Sequence, residues 1–304
     1  MADTIAELAG LIDAIQTEKR VTLQKTACDD IKEWLGKHWE VLLDPIAELI
    51  PACSDIKYSF AHPADQLLLE IVTLFDKCKD ARTAAQQQLP LSMARTVLFG
   101  NGLGKKESLL IFDKDAMQEL FDLLATLLKS EKTHVDGANL LLEVLEVPGY
   151  REQVQLAWLV KMAHQCMDTT IDLVGKNIVE NVEDKKLAYA LLGIVQVIMR
   201  ELCRDSGVKC TCDQHAVKRL ATGFTNIGVQ VQNHRTEDST LVHIYMRALN
   251  EFHATFVLDH RECAEKLRPT VLQVVHCFWK SGGASLKKSF VQYLRLVVRA
   301  QMIT

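Results

Sequence analysis

The stretch LAYALLGIVQVIMREL, residues 187–202, decides the fold class of this chain. Its large apolar residues Leu187, Leu191, Ile194, Val195 and Ile198 recur at steps of three and four, which is the period of one face of an α-helix. The same period returns in stretches that begin near residues 117, 241, 267 and 286. We therefore predict an all-α chain.

The composition also favours helices along the full 304 residues. With 14 Gly and 6 Pro, the chain has few residues for the many tight turns of a β protein. No segment shows sustained alternation of polar and apolar residues, so we predict no sheet. The predicted helices cover 4–17, 20–35, 38–50, 63–80, 84–98, 115–129, 135–147, 150–166, 168–180, 184–205, 212–231, 238–257, 263–280 and 285–302.

The spacing of the later helices predicts how they pack. From about residue 184, two successive helices make a unit near the ~40–47 residues of HEAT-type repeats. We predict a HEAT-like α-solenoid, elongated and curved, over residues 1–304. No polar capping helix follows the apolar segment 294–303, which is expected of a fragment of a longer array. A closed helix bundle is the alternative.

Two prolines suggest local boundaries within this pattern. Pro148 and Gly149 are predicted to split two helices. Pro269 is predicted to lie in the first turn of its helix, where a missing N–H does little harm.

The net charge and the cysteine content limit the classes of protein to which this chain can belong. The net charge of −4 and the pI of about 6.2 give no global reason to bind nucleic acid, although local basic faces stay open. The nine cysteines are odd in number and spread along the chain, and no secretory signal precedes them, which favours a reducing intracellular compartment. No apolar run reaches the ~18 residues of a membrane span, so we expect a soluble chain without membrane contact.

The densest group of metal-type ligands is Cys203, Cys210, Cys212 and His215. Zinc sites usually bring ligands together as two close pairs, and this spacing is irregular. We expect Cys203 in a helix core and His215 exposed in the next helix, without a metal.

The glycine-rich segment 100–106 resembles a phosphate-binding loop only in part. Phe99 stands where a Walker loop needs its first glycine, and Lys106 where it needs Ser or Thr. We expect a flexible basic loop. The ten histidines accompany no nucleophile signature, so no catalytic residue, metal ligand or cofactor site is predicted.

The N-terminal segment Leu11–Leu35 combines apolar helical positions with basic residues. The default interpretation is an amphipathic helix pair with a solvated basic edge. The functional interpretation is a partner-binding face. Its candidate residues are Lys19, Arg20, Lys25 and Lys32.

This segment, LIDAIQTEKRVTLQKTACDDIKEWL, resembles the N-terminal motif of the ATM (ataxia-telangiectasia-mutated) kinase family. It departs from the family's dense basic run at Leu23 and Gln24. Two further stretches, Ile71–Gln86 and Cys263–Ile303, resemble the same family in order and spacing. The matching positions of the first motif are Arg20, Lys25, Ile31, Lys32 and Leu35.

The resemblance implies that the chain is the N-terminal solenoid of a large Ser/Thr protein kinase of the phosphatidylinositol-3-kinase-related class. Such a kinase responds to DNA double-strand breaks in the nucleus and supports telomere maintenance. The solenoid would receive protein partners such as the nibrin subunit of the break-sensing complex, with DNA as a second candidate partner. The kinase signatures themselves are absent from this sequence.

Three functional hypotheses remain open. The first is a scaffold that binds peptides in grooves between helices; its candidate anchors are Trp34, Trp39, Trp158 and Trp279. The second is a nucleic-acid-binding array, for which paired basic residues would have to align along one ridge. Those residues are Lys105, Lys106, Lys185, Lys186, Lys218, Arg219, Lys287 and Lys288. The third is a helical metal-dependent hydrolase, which a stoichiometric metal in the purified chain would favour.

Overall fold

The computed structural model describes residues 30, 33, 91, 95, 98, 114–129, 133–175, 181–204, 214–233, 239–256 and 261–302. All regular secondary structure in these ranges is helical, which confirms the predicted all-α class for them. The chain divides into two units, Met1–Val154 and Gln155–Thr304.

In the first unit, helix α1 (Lys114–Leu127) packs against α2 (His134–Glu146), and the one-turn helix α3 (Pro148–Arg151) follows directly. Pro148 occupies the start of α3, so the predicted split between two helices is confirmed. The buried Tyr150 hydroxyl donates a hydrogen bond to the Leu98 carbonyl at 2.8 Å. An upstream helical segment is thereby attached to this pair.

The second unit contains six described helices, each between 18 and 23 residues long. None of the described helices combines the length and apolar character needed to cross a bilayer. In order they are α4 (Leu156–Gly175), α5 (Val182–Arg204), α6 (Gln214–Asn233), α7 (Ser239–Phe256), α8 (Arg261–Phe278) and α9 (Ala284–Met302).

Helices two places apart in the sequence pack side by side in this unit. Helix α6 lies between α4 and α8, and α7 lies between α5 and α9. The unit therefore has one layer of α4, α6 and α8, and a second layer of α5, α7 and α9. Helices within a layer run parallel, because their contacts advance along both chains together: Lys218 lies beside Cys263, and the later Gln232 donates to the later Thr270.

The two layers pack mainly through α4 and α5, and a smaller contact between them forms around Phe224 of α6. Its ring lies 5.1 Å from Phe252 and 6.2 Å from Tyr245, both on α7. The fully buried Tyr245 hydroxyl donates to the Phe224 carbonyl at 3.0 Å. These contacts cross from one layer to the other. Helices α6 and α7 run antiparallel, because Gly228 faces Tyr245 while the earlier Phe224 faces the later Phe252.

The predicted break between helices 150–166 and 168–180 is wrong. Helix α4 continues from Leu156 to Gly175. The polar residues at the predicted break are accommodated inside the helix, since the Thr170 hydroxyl donates to the Cys166 carbonyl at 2.7 Å. The Asp168 carboxylate pairs instead with Arg219 of α6 at 2.9 Å.

Pro269 also differs from its predicted position. It lies inside α8, eight residues after Arg261, and not in the first turn. A proline there removes one backbone hydrogen bond of the helix, which costs roughly 3 kcal/mol in an isolated helix. Packing of α8 against α6 therefore has to offset this cost.

Candidate partner-binding groove

A groove of about 260 Å³ opens between the parallel helices α6 and α8. Helix α6 lines one wall and α8 the other. The lining residues are Lys218, Ala221, Thr222, Thr225, Glu262, Cys263 and Lys266.

The sequence of α6 explains why the groove opens at this end of the helix pair. Near the other end, α6 has Gly228, whose missing side chain lets the Thr270 methyl come close, and Gln232 donates to the Thr270 carbonyl at 3.1 Å. Towards its start, α6 presents the small Ala221 and Thr225 to α8. Because α6 and α8 do not approach as closely here as at Gly228, these small side chains leave the space between the two helices unfilled.

The charge of the groove is positive on balance. Lys218 and Lys266 are exposed at its rim, one on each helix, and Glu262 is the acidic lining residue. Neither ammonium group forms an ion pair with any residue that the structure describes. The neighbouring Arg219, by contrast, is engaged by Asp168. The two lysines are therefore available to an anionic ligand.

Cys263 lies in the floor of the groove and is 6% exposed. Burial raises the pKa of its thiol, while the ammonium groups of Lys218 and Lys266 act in the opposite direction. The net shift is upward, so the thiol stays protonated at neutral pH and is a poor nucleophile. Its role in the groove is to provide a small, polarizable surface.

The size of the groove limits what it can hold. Pockets for drug-sized ligands and cofactors measure roughly 300–1,000 Å³, and this groove is smaller. It matches one or two side chains of an extended segment. The Thr222 and Thr225 hydroxyls donate to their own helix, at 2.9 Å each, and keep lone pairs that can accept. The arrangement suits binding of an acidic side chain.

The predicted partner-binding residues Lys19, Arg20, Lys25 and Lys32 lie outside the described residues, as do Trp34 and Trp39. Trp158 is half-buried at the start of α4. Trp279 is 42% exposed after α8 and stacks on Phe290 at 6.1 Å.

The paired basic residues do not share one ridge in the described part of the second unit. Lys185 and Lys287 begin helices of one layer, whereas Lys218 begins a helix of the other layer, which runs in the opposite direction. Lys186 is engaged by Glu183 at 2.7 Å. Lys105 and Lys106 lie outside the described ranges.

Most of the predicted cluster of Cys203, Cys210, Cys212 and His215 lies outside the described side chains. Cys210 and Cys212 are not described, the backbone of Cys203 is helical, and His215 is exposed. Among the described side chains, no group of three or more His, Cys, Asp or Glu is arranged to hold a metal ion.

The groove itself was not predicted from the sequence. Its residues carry no motif, because they come from two helices that are separated by α7 and become neighbours only through the alternating packing. The available signal was the small residues Ala221 and Thr225 on a helix with basic residues at its start.

No protein-family model, no curated protein and no solved structure matches this chain. The resemblance to the ATM kinase family therefore stays a prediction from the residues quoted above.

Proposed function

We propose that this chain is a non-catalytic helical-repeat scaffold that recruits a protein partner. The observation that carries the proposal is the alternating packing of the second unit, in which every other helix joins the same layer. Such stacking produces long parallel grooves between helices, which bind extended or helical segments.

We propose that the architecture is a HEAT-like α-solenoid and not a closed bundle. A closed bundle brings its first and last helices together around one core. In the described part of the second unit, no substantial packing joins α4 to α8 or α5 to α9. Each layer therefore has open ends, as expected of an array.

The proposed occupant of the α6–α8 groove is an acidic side chain on an extended segment of the partner. Lys218 and Lys266 stand on opposite walls, so a carboxylate between them would meet a positive charge on each side. The limited volume and the two threonine hydroxyls favour such a side chain over a separate small molecule.

We further propose that the scaffold belongs to a large nuclear Ser/Thr kinase of the ATM family, with nibrin as the partner. This part of the proposal is supported by the resemblance of Leu11–Leu35, Ile71–Gln86 and Cys263–Ile303 alone. Its test is the reading frame downstream of residue 304 in the encoding gene. Further helix pairs followed by a Gly-rich loop, His-Arg-Asp and Asp-Phe-Gly would support it, whereas an unrelated domain would contradict it.

The groove is tested by measuring binding of purified nibrin and its overlapping peptides to the purified chain by fluorescence anisotropy. We expect the double variant Lys218→Glu, Lys266→Glu to bind an acidic peptide at least tenfold more weakly. The variant Lys288→Glu, Arg295→Glu on α9 changes the net charge equally and should bind within twofold of wild type. Equal weakening in both variants, or no binding by wild type, would contradict the proposal.

A further inference from the structure

The α5–α7–α9 layer carries an excess of exposed basic side chains in a chain whose net charge is −4. Among the described side chains of these three helices, six exposed residues are basic and one, Glu183, is acidic. Glu183 is neutralised by Lys186 at 2.7 Å. The five other basic residues, which we call the basic face, are Arg200, Arg247, Lys288, Arg295 and Arg299.

The other layer shows that this excess is not a general property of the surface. Its exposed and described charged side chains divide evenly, with four basic and four acidic residues. One of these pairs, Asp168 and Arg219, joins two helices directly. The residues are Lys161, Lys218, Arg219, Lys266, Asp168, Asp172, Glu262 and Glu265.

Two arginines of the basic face are held together by one amide. With its oxygen turned towards them, Gln196 accepts from Arg200 Nη2 at 3.0 Å and from Arg247 Nη2 at 3.1 Å. Glu251 approaches Arg200 at 3.5 Å, and no carboxylate in the described ranges pairs with Arg247. Each guanidinium has five N–H donors, so most of them remain available to an outside acceptor.

Helix α9, which packs against α7, carries the other three residues of the basic face. Lys288, Arg295 and Arg299 are separated by seven and four residues, which places them on one side of the helix along roughly 16 Å. The helix has no acidic residue, and no ion pair involves these three side chains within the described residues. Unpaired like charges so close together favour a polyanionic ligand.

The chemistry of the face favours nucleic acid over a peptide. Protein interfaces are anchored by buried aromatic and apolar side chains, but the exposed neighbours of the basic residues include Thr240, Ala254 and Gln292. Val182 and Val298 are the large apolar side chains exposed on the described parts of these helices. A surface that offers charge with few apolar anchors matches the contacts that a phosphate backbone needs.

We infer that the basic face of the α5–α7–α9 layer binds the phosphate backbone of a nucleic acid without reading its sequence. Gln196 holds Arg200 and Arg247 as a pair of donors, and Lys288, Arg295 and Arg299 lie along one side of the next helix of the layer. This surface lies on a different layer from the α6–α8 groove, so it does not depend on the proposed partner.

The test measures the affinity of the purified 304-residue chain for a random-sequence DNA duplex at several salt concentrations. We expect the logarithm of the association constant to fall linearly with the logarithm of salt. The triple variant Arg247→Glu, Arg295→Glu, Arg299→Glu should bind at least tenfold more weakly, with a slope reduced by roughly 2–3. A circular-dichroism spectrum like that of wild type would show that the variant is folded.

The matched control is Ala157→Glu, Lys161→Glu, Gln214→Glu, Asn226→Glu, Gln273→Glu, which changes the net charge equally at exposed positions of the other layer, outside the groove. It should bind DNA as wild type does, and a loss equal to that of the triple variant would overturn the inference. So would the absence of wild-type binding at low salt, or preferential binding of polyglutamate. A second readout is His243, whose pKa is lowered by burial and by Arg247; bound phosphate should raise it in an NMR titration.

Discussion

In the α4–α6–α8 layer glycines bring neighbouring helices close together, whereas in the α5–α7–α9 layer buried polar side chains join α7 to α9. Gly223 faces Met167 of α4, and Gly228 faces Thr270 of α8. In the second layer, Asn250 donates to the Ser289 carbonyl at 3.0 Å, and the Ser289 hydroxyl lies 3.2 Å from His243.

This difference separates two ways of holding parallel helices together. Glycine contacts allow close approach but leave no room for a larger residue. Polar contacts specify the register, but they leave some buried groups incompletely satisfied: Asn250 Oδ1 and the Tyr293 hydroxyl have no hydrogen-bond partner among the described residues. We therefore expect the first layer to be sensitive to volume and the second to be sensitive to pH and polarity.

The largest expected effect is that of Gly228→Ala. A Cβ there would lie 2.8 Å from the Tyr245 hydroxyl and 2.9 Å from the Thr270 methyl. The tyrosine is held by its hydrogen bond to Phe224, so it cannot move aside freely. We expect the free energy of unfolding to fall by about 2–3 kcal/mol in urea denaturation.

Gly223→Ala on the same helix is the matched control. Its Cβ would lie 3.1 Å from the flexible Met167 sulfur, which can shift. Alanine also favours the helix over glycine by about 1 kcal/mol, so we expect little net change. Equal losses in the two variants would show that the contact at Gly228 is not specially tight.

The second effect is a pH dependence that originates in the polar layer. His253 is 4% exposed, and burial, with a smaller contribution from Arg268, lowers its pKa to about 4. The unfolded histidine has a pKa of about 6.5 and binds a proton more readily. Stability is therefore complete well above pH 6.5 and is lost as the pH falls towards 4, by about 2 kcal/mol at pH 5.

His253→Phe should keep the edge contact with Tyr293, whose ring lies 5.2 Å away, and should remove this titration. Thermal unfolding of both proteins at several pH values gives the comparison. Carboxylates titrate in both, so the difference between the two curves isolates His253. Curves that stay parallel between pH 7 and pH 4 would exclude the histidine as the source.

A smaller effect distinguishes two buried tyrosines. Tyr245→Phe removes the hydrogen bond to the Phe224 carbonyl, at a cost of about 1 kcal/mol. Tyr293→Phe removes a buried hydroxyl that has no partner in the described part of the chain, so stability should stay the same or rise. Chemical denaturation of the two variants measures the difference, and the reverse order would show that Tyr293 is hydrogen-bonded in solution.

The smallest expected effect concerns the ion pair between Asp168 and Arg219. Both side chains are more than half exposed, so solvent screens their attraction. Arg219→Ala should change the free energy of unfolding by less than about 0.5 kcal/mol, and added salt should reduce even that. A loss above 1 kcal/mol would mean that the pair fixes the spacing of α4 and α6.

The helices of the second unit could be predicted from the sequence because their apolar period is uninterrupted. The break predicted at residues 166–168 is absent because the helix accommodates its polar residues there: Asp168 pairs with Arg219, and Thr170 donates to the preceding turn of the same helix. The position of Pro269 within its helix was mispredicted, because a residue's local preference does not show whether packing can offset the lost backbone hydrogen bond.

The groove and the basic face could not be predicted because both depend on which helices become neighbours. Adjacent basic residues do not mark one side of a helix, since exposed residues on one side recur at steps of three, four and seven. Lys288, Arg295 and Arg299 were visible at that spacing within α9. Their association with Arg200 and Arg247 requires the layer itself.

The alternating order of the helices has a kinetic consequence. Every substantial packing contact in the second unit joins helices one or two places apart along the chain. Ordering a neighbouring pair thus closes only short loops, so folding can begin at several places and spread outward. A substitution that destabilises one terminal helix should then lower the stability mainly of its immediate neighbours. Unfolding should progress from an end instead of occurring all at once.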